Sequence, residues 1–425
     1  MNTESLYKIF KNANAVQTDS RKLKEGDLFF ALKGDHFNGN KFAREVIERG
    51  AIAAVIDEKE FEVEGKTILV PDVLKSLQDL ALHHRQQFSI PFIGITGSNG
   101  KTTTKELIHA VLSTAYKTYT TEGNLNNHIG VPLTILKIKT DAEIAVIEMG
   151  ANHIGEIASY CRYALPTHGL ITNCGKAHLE GFGSEEAVKK GKGELYDHLR
   201  ANKGIAFVMW DYQYLREMSH DISRVIKYGT HDADIEAMVK KNEPFLEIEV
   251  IKGVDPILIQ SQLVGEYNLP NLLAAVCVGK TFSVNATKIK TAIEQYAPSN
   301  SRSQLIRKGS NTIILDAYNA NPSSMRVAIE NFAKMEASNK VLMLGAMAEL
   351  GSQSLEEHMA IVDLIGQYNW KEVALTGGDF MKINFPYNKF DSAEAAHKWF
   401  RDQQFENSYI LIKGSRSAGM EKVLE

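Results

Sequence analysis

Residues 92–112 read FIGITGSNGKTTTKELIHAVL. An apolar run leads into a Gly-rich turn with a lysine and threonines, and the stretch beyond it carries Leu107, Ile108, Val111 and Leu112 on one helical face. The pattern predicts a strand, a phosphate loop and a helix. Successive backbone N–H groups of Gly97, Ser98, Asn99 and Gly100, with a helix N-terminus behind them, form a concave anion site. Lys101 would neutralise the β and γ phosphates and the Thr102 hydroxyl could bind magnesium, with Thr103 closing the 97–103 cradle. The usual loop has glycine at the position held here by Ile95, and Gly94 falls one place early, so the loop is a variant. The competing reading is a tight turn that merely carries Lys and Thr. The order of strand, glycines, Lys, Thr and amphipathic helix favours nucleotide binding.

The pattern is α/β on both sides of this loop. Before it, DLFFAL and AIAAVI are predicted strands, and FAREVIER and VLKSLQDLALHHR predicted helices, which marks residues 1–87 as a small α/β domain. After it, EIAVIEM and HGLITN continue a parallel sheet. Residues 205–265 turn β-rich, like a sheet appended to the core, and the Pro, Asn and Ser of APSNSRS place a boundary near Pro298. Beyond that, TIILDA, VLMLGA, EVALTG and YILIKG alternate with helical stretches. The expected architecture is thus three domains: 1–87, a central P-loop-type parallel sheet at 88–297, and a Rossmann-like C-terminal domain at 298–425.

Composition removes several classes of function. Across 425 residues, 48 Lys and Arg face 52 Asp and Glu, and no basic block follows a phosphate backbone, so nucleic acid is not an expected partner. No apolar run reaches the ~18 residues of a membrane span, and the polar start lacks a secretion signal's apolar core. The three separated cysteines suit a reducing compartment, the cytoplasm.

Three residues outside the loop draw attention by position. Glu148 ends the strand EIAVIE, where a carboxylate reaches a nucleotide-bound magnesium or simply caps the next turn. His178 lies in the Gly-rich loop TNCGKAHLEGFGS, as a ligand or as a solvated side chain. Lys192, on the predicted helix SEEAVKKGKGELYDHL, reads as a solvated lysine. If buried, it would lose its proton readily and could take up carbon dioxide as an anionic, metal-binding carbamate.

Together, TGSNGKTTTKE, TEGNLNNHIGVPLTIL, EMGANHIGEI, ITNCGKAHLEGFGS, GKGELY, DAYNANPSSM, LGAMAELG and IKGSRS resemble the Mur ligase family. The N-terminal DSRKLKEGDLFFALKGDHFNGNKFA extends the resemblance through all three expected domains. It implies an ATP- and Mg2+-dependent amide ligase of peptidoglycan precursor synthesis. Its substrates would be UDP-N-acetylmuramoyl-tripeptide and D-alanyl-D-alanine, joined through an acyl phosphate by a monomeric enzyme. By the same resemblance Glu148, His178 and a carbamylated Lys192 join Thr102 as metal ligands, and Asn271 lies near adenine. Arg302, Asp316 and Asn319 approach ATP on domain closure, with Lys101, Glu148, His178, Lys192 and Arg302 as the catalytic set. Ser20 and Arg21 bind the UDP part, for which a guanidinium is apt. Asn126 and Asn127 contact the peptide, and Lys413, Ser415 and Arg416 suit a carboxylate. Leu315, Ala346 and Glu266-Tyr267 depart from the family pattern, at positions that bear on ATP contacts and closure. Other readings are a different Mur-type ligase, a folylpolyglutamate synthetase-like enzyme, or a P-loop binding protein without ligase activity.

Overall fold

The computed structural model describes residues 2–299 and 301–425. Three main sheets succeed one another along the chain. The first is parallel, in the order Val16–Gln17, Leu28–Phe30, Ala53–Ile56, Thr67–Leu69. The helix Val73–Arg85 packs near it, started by the Asp72 side chain, which accepts from the Lys75 N–H.

The second sheet has nine strands. Phe92–Thr96 lies between Ile144–Glu148 and His168–Ile171, parallel to both, and every one of its residues is buried. Burial on both faces explains its unbroken apolar run. The chain leaves it for the edge strand Thr118–Thr120, returns to Ile144–Glu148, then crosses to His168–Ile171. Connections therefore diverge around Phe92–Thr96, and a crevice opens at the carboxyl ends of these strands. The β-rich stretch expected as an appended sheet continues this same sheet through Ile205–Met209 and Arg224–Gly229. It ends in the antiparallel ribbon Ile235–Lys241, Glu247–Lys252, Ile257–Gln260.

The third sheet contains the four expected parallel strands, in the order Asn311–Asp316, Tyr409–Lys413, Lys340–Gly345, Glu372–Thr376. Two further strands flank them: Asn388–Phe390, parallel, and Gln304–Lys308, antiparallel. Both are edge strands without a fully buried residue, so neither carries an apolar signal as strong as its neighbours.

The cores divide unequally. Leu28, Phe30, Leu77 and Leu80 of the first domain form one continuous cluster with Phe92, Ile95 and Ile108 of the second. The C-terminal sheet has a cluster on each face, one around Ile329, Leu342 and Leu375, the other around Ile313, Met343 and Ile412. Among the described residues no helix is long and apolar enough to cross a membrane.

Arg85 rivets the first two domains. Its guanidinium is buried, donates to the carbonyls of Ala164 (2.9 Å), Phe88 (2.8 Å) and Leu165 (3.0 Å), and lies 3.7 Å from the centre of the Phe92 ring. Burial holds its pKa down to about 10. Arg85→Ala leaves these carbonyls without their donor and should cost about 3 kcal/mol. Urea unfolding of wild type and variant checks this, and a loss below about 1 kcal/mol would show that the contacts exchange freely with water.

Candidate active site

The loop after Phe92–Thr96 is zipped onto the end of the neighbouring strand. Ser98 N–H donates to Asn173 O (2.9 Å), Asn99 N–H to Asn173 Oδ1 (3.0 Å), Ser98 Oγ to Gly175 O (2.9 Å) and Thr172 Oγ1 to Asn99 O (2.6 Å). This approach leaves no room for side chains at two glycines. A Cβ on Gly97 (φ +144°) would fall 2.0 Å from Thr172 Oγ1, and one on Gly100 (φ +78°) 2.7 Å from Asn271 Oδ1. Gly100 is the cap from which the Lys101–Leu112 helix starts. Lys101 Nζ folds over the loop onto the carbonyls of Gly97 (2.5 Å) and Ser98 (3.1 Å). Burial lowers its pKa, partly countered by the negative charge of Glu148.

Glu148 stands beside this loop, 1% exposed. Its Oε1 accepts from Thr102 Oγ1 (3.2 Å) and Asn126 Nδ2 (2.7 Å), and its N–H donates to Thr121 Oγ1 (3.0 Å). Lys105, itself buried, holds the Thr121 carbonyl at 2.7 Å and so fixes that frame. Glu148 Oε2 is buried without any hydrogen-bond donor. A carboxylate oxygen in that state is costly unless a cation meets it, so Thr102 and Glu148 suit a divalent ion with phosphate and water oxygens completing its shell.

Lys192, which its sequence suggests is solvated, is fully buried. Its Nζ donates to Ala151 O (2.8 Å) and lies 5.1 Å from the centre of the Phe182 ring. Burial first, and the Lys101 charge second, lower its pKa to about 7. A large fraction of the amine is therefore neutral near neutral pH, the form that reacts with carbon dioxide. Ala151, not Lys192, faces the cavity described next.

A cavity of about 1060 Å³ lies between the central and C-terminal domains. Its walls bring together Ser98 to Thr103, Asn126, Asn127, Glu148, His178 and Asn271 from one side with Arg302, Asp316, Asn319, Lys413 and Arg416 from the other. Gly97 supports this wall from behind. Asn271 Oδ1 accepts from Thr104 Oγ1 (2.9 Å) and its Nδ2 donates to Asn268 Oδ1 (2.8 Å). Arg302 stacks 3.5 Å from the centre of the Tyr318 ring, with Arg416 at 5.7 Å from that ring. Lys413 Nζ pairs with Asp316 Oδ2 at 2.5 Å, and Ser303 N–H donates to Asp316 Oδ1 (3.1 Å).

The C-terminal domain is docked through polar contacts. Asn321 Nδ2 donates to Asn99 Oδ1 (2.8 Å), Lys176 N–H to Ser323 Oγ (2.8 Å), Lys176 Nζ pairs with Glu357 (2.6 Å), and Tyr267 shares a hydrogen bond with Ser303 (3.0 Å). His178 Nδ1 meets Glu349 Oε2 at 2.5 Å across the junction. The His178 contact holds the Glu349 carboxyl below its usual pKa.

Several expected residues lie elsewhere. Ser20 and Arg21 are remote from this cavity, on the first domain, with Arg21 exposed and paired to Asp19 at 2.8 Å. Asn127 does line the cavity, but its Oδ1 accepts from the N–H groups of Ile129 and Gly130 and so starts the next helix. Ser415 is buried behind the wall, its hydroxyl donating to Ala346 O (2.6 Å), so it shapes the turn that presents Arg416. Of the departures, Leu315 is buried in the core, Ala346 serves through its carbonyl, and Tyr267 joins the domains while Glu266 is exposed. The sequence reading missed Glu349 and Tyr318, whose partners lie far away in the chain.

Comparison with known proteins fits this arrangement. Sequence profiles match residues 12–85 as the Mur ligase family catalytic domain, 95–279 as the Mur ligase middle domain and 301–416 as the Mur ligase, glutamate ligase domain. The chain belongs to the Mur ligase family. Within it, the chain is 33% identical to the UDP-N-acetylmuramoyl-tripeptide–D-alanyl-D-alanine ligase of Bacillus subtilis, over 97% of this chain and 92% of that protein. MurF from Acinetobacter baumannii superposes with a TM-score of 0.89 at 28% identity, covering 100% of this chain and 97% of that one. MurF from Thermotoga maritima in complex with ADP superposes at 0.86, also 28% identical, covering 98% and 97%.

Two outcomes follow from this geometry. Gly100→Ala should weaken ADP binding at least tenfold in calorimetry, because the added methyl forces Asn271 and the loop apart; unchanged affinity would show that the loop relaxes freely. Lys192 should also imprint on stability. Between its folded pKa of about 7 and an unfolded value of about 10.4, the unfolded chain holds a proton that the folded chain has released. Stability therefore rises with pH across that window, by at most about 1.4 kcal/mol per pH unit from this group. Lys192→Met should flatten the rise in urea titrations in carbonate-free buffer, and an identical slope in both proteins would refute the burial argument.

Proposed function

We propose that this chain joins D-alanyl-D-alanine to UDP-N-acetylmuramoyl-tripeptide at the expense of ATP, through an acyl phosphate. The observation that carries this reading is the single cavity in which a phosphate cradle and a buried carboxylate face two arginines and a lysine from another domain. A nucleotide-binding protein without chemistry would need the cradle alone. Support for the substrate pair comes from the relatives' names, and for adenine nucleotide from the Thermotoga complex.

The reaction brings two anions together, so positioning and neutralisation dominate. The tripeptide carboxylate attacks the γ phosphorus, the bond to the β-γ bridging oxygen breaks, and ADP leaves. The dipeptide amine then attacks the acyl carbon and phosphate departs. Gly97 to Thr103 cradle the phosphates, Lys101 neutralises them, and Asn271 lies beside the nucleotide. Thr102, Glu148, His178 and a carbamylated Lys192 would hold Mg2+, which supplies charge neutralisation at the phosphates when bound. Arg302, Asp316 and Asn319 close over the nucleotide and exclude water from the acyl phosphate. Ser20 and Arg21 bind the UDP portion and Asn126 and Asn127 its peptide. Lys413 and Arg416 meet a carboxylate, with Ser415 shaping their turn. The enzyme works as a monomer in the cytoplasm, a compartment that suits its three free thiols.

Phosphate release should require ATP, D-alanyl-D-alanine and the muramoyl tripeptide together. Release with a single amino acid in place of the dipeptide would move the chain to another branch of the family. Lys192→Ala should lose at least about 100-fold in turnover, keep ADP binding, and recover partly with a small added carboxylate. Full activity in that variant would remove the carbamate.

A further inference from the structure

His178 and Glu349 meet across the domain junction, and both have left-handed backbone at non-glycine positions, φ +52° and φ +61°. Such conformations persist where the surroundings over-determine them. Around Glu349 the surroundings are specific: its carbonyl accepts from the Glu180 N–H at 3.0 Å, two residues after His178, and both side chains line the cavity. The Glu349 carboxylate meets His178 at Nδ1, and Nε2 is the ring nitrogen that this contact does not use.

We propose that Glu349 is a positioning residue that orients the His178 ring for divalent-metal binding, so that the metal site is complete only when the C-terminal domain is docked. This rests on the reading of His178 as a metal ligand. A carboxylate behind a histidine fixes its tautomer and ring orientation and makes it a stronger ligand. Here the orienting carboxylate comes from a different domain than the histidine. The other junction contacts do not do this: the Lys176–Glu357 pair fastens the domains without touching His178, Glu148 or Thr102.

The test is Mn2+ binding in the presence of ADP, read by electron paramagnetic resonance without turnover, alongside the Mg2+ dependence of activity. Glu349→Gln should weaken Mn2+ by about 10- to 100-fold and raise the Mg2+ needed for half-maximal turnover by a similar factor, with KM for D-alanyl-D-alanine unchanged. Glu349→Gly removes the carboxylate while suiting the φ of +61°, so it keeps the fold and should show the same weakening. Glu357→Gln, which removes a junction contact that touches neither His178 nor Glu349, should weaken Mn2+ less than either Glu349 variant, and an equal loss would assign the effect to docking alone and overturn the role of Glu349. Normal Mn2+ binding in both Glu349 variants, with Glu148→Gln impaired, would overturn the role of Glu349 alone. Normal binding in Glu148→Gln as well would overturn the metal-site reading and this inference with it.

Discussion

The arrangement of the molecule depends on a carboxylate kept out of water with one oxygen satisfied and the other not. Glu148 Oε1 is held by Thr102 and Asn126, while Oε2 has no donor. Desolvating such a group is unfavourable, so the fold must restrain it on every side. The Thr121 hydroxyl and the Lys105 ammonium fix the strand end, and the glycine-tight loop sets Thr102 against it. Lys101 brings a positive charge close by. The structure thus leaves one carboxylate oxygen without a partner, a deficit that a cation arriving with phosphates would relieve.

The two domain junctions are built from different materials. The first and second domains share apolar core, and Arg85 places three hydrogen bonds at their seam. The junction with the C-terminal domain is mixed: Leu179 and Val264 join the C-terminal apolar cluster, beside the polar contacts Asn321 to Asn99, Lys176 to Ser323 and Glu357, and Tyr267 to Ser303. Water replaces contacts of that kind at little net cost, whereas reopening apolar surface is expensive. The second junction shares less apolar core than the first and should open more readily, and the candidate site lies at it.

The features legible in the sequence are those that act locally. The 92–112 stretch revealed its loop because strand, glycines and helix are contiguous, and VLKSLQDLALHHR gave its helix residue for residue. The inward course of Arg85 was hidden, since a basic residue in a last helical turn already suits the helix dipole. Lys192 was hidden by its neighbours. KKGKGE has the composition of a solvated face, yet the helix comes so close that a Cβ on Gly191 would meet the Phe182 ring at 2.6 Å. The resemblance to known ligases singles out Lys192 where spacing does not. Glu349 and Tyr318 act on partners in other segments, and no periodicity encodes such a meeting. The continuation of the central sheet to nine strands likewise follows from pairing between distant segments.

The separate cores bear on how the chain could be rebuilt. A chimaera spliced near Pro298 would exchange a C-terminal body that carries its own packing on both sheet faces, with Leu179, Val264 and the polar partners left to rematch. The same operation near residue 88 would cut through a shared interior and expose leucines and phenylalanines from both pieces. Recombination between related ligases should therefore disturb less interior near Pro298 than near residue 88, and the Pro298 joint delivers new cavity walls to an unaltered phosphate loop.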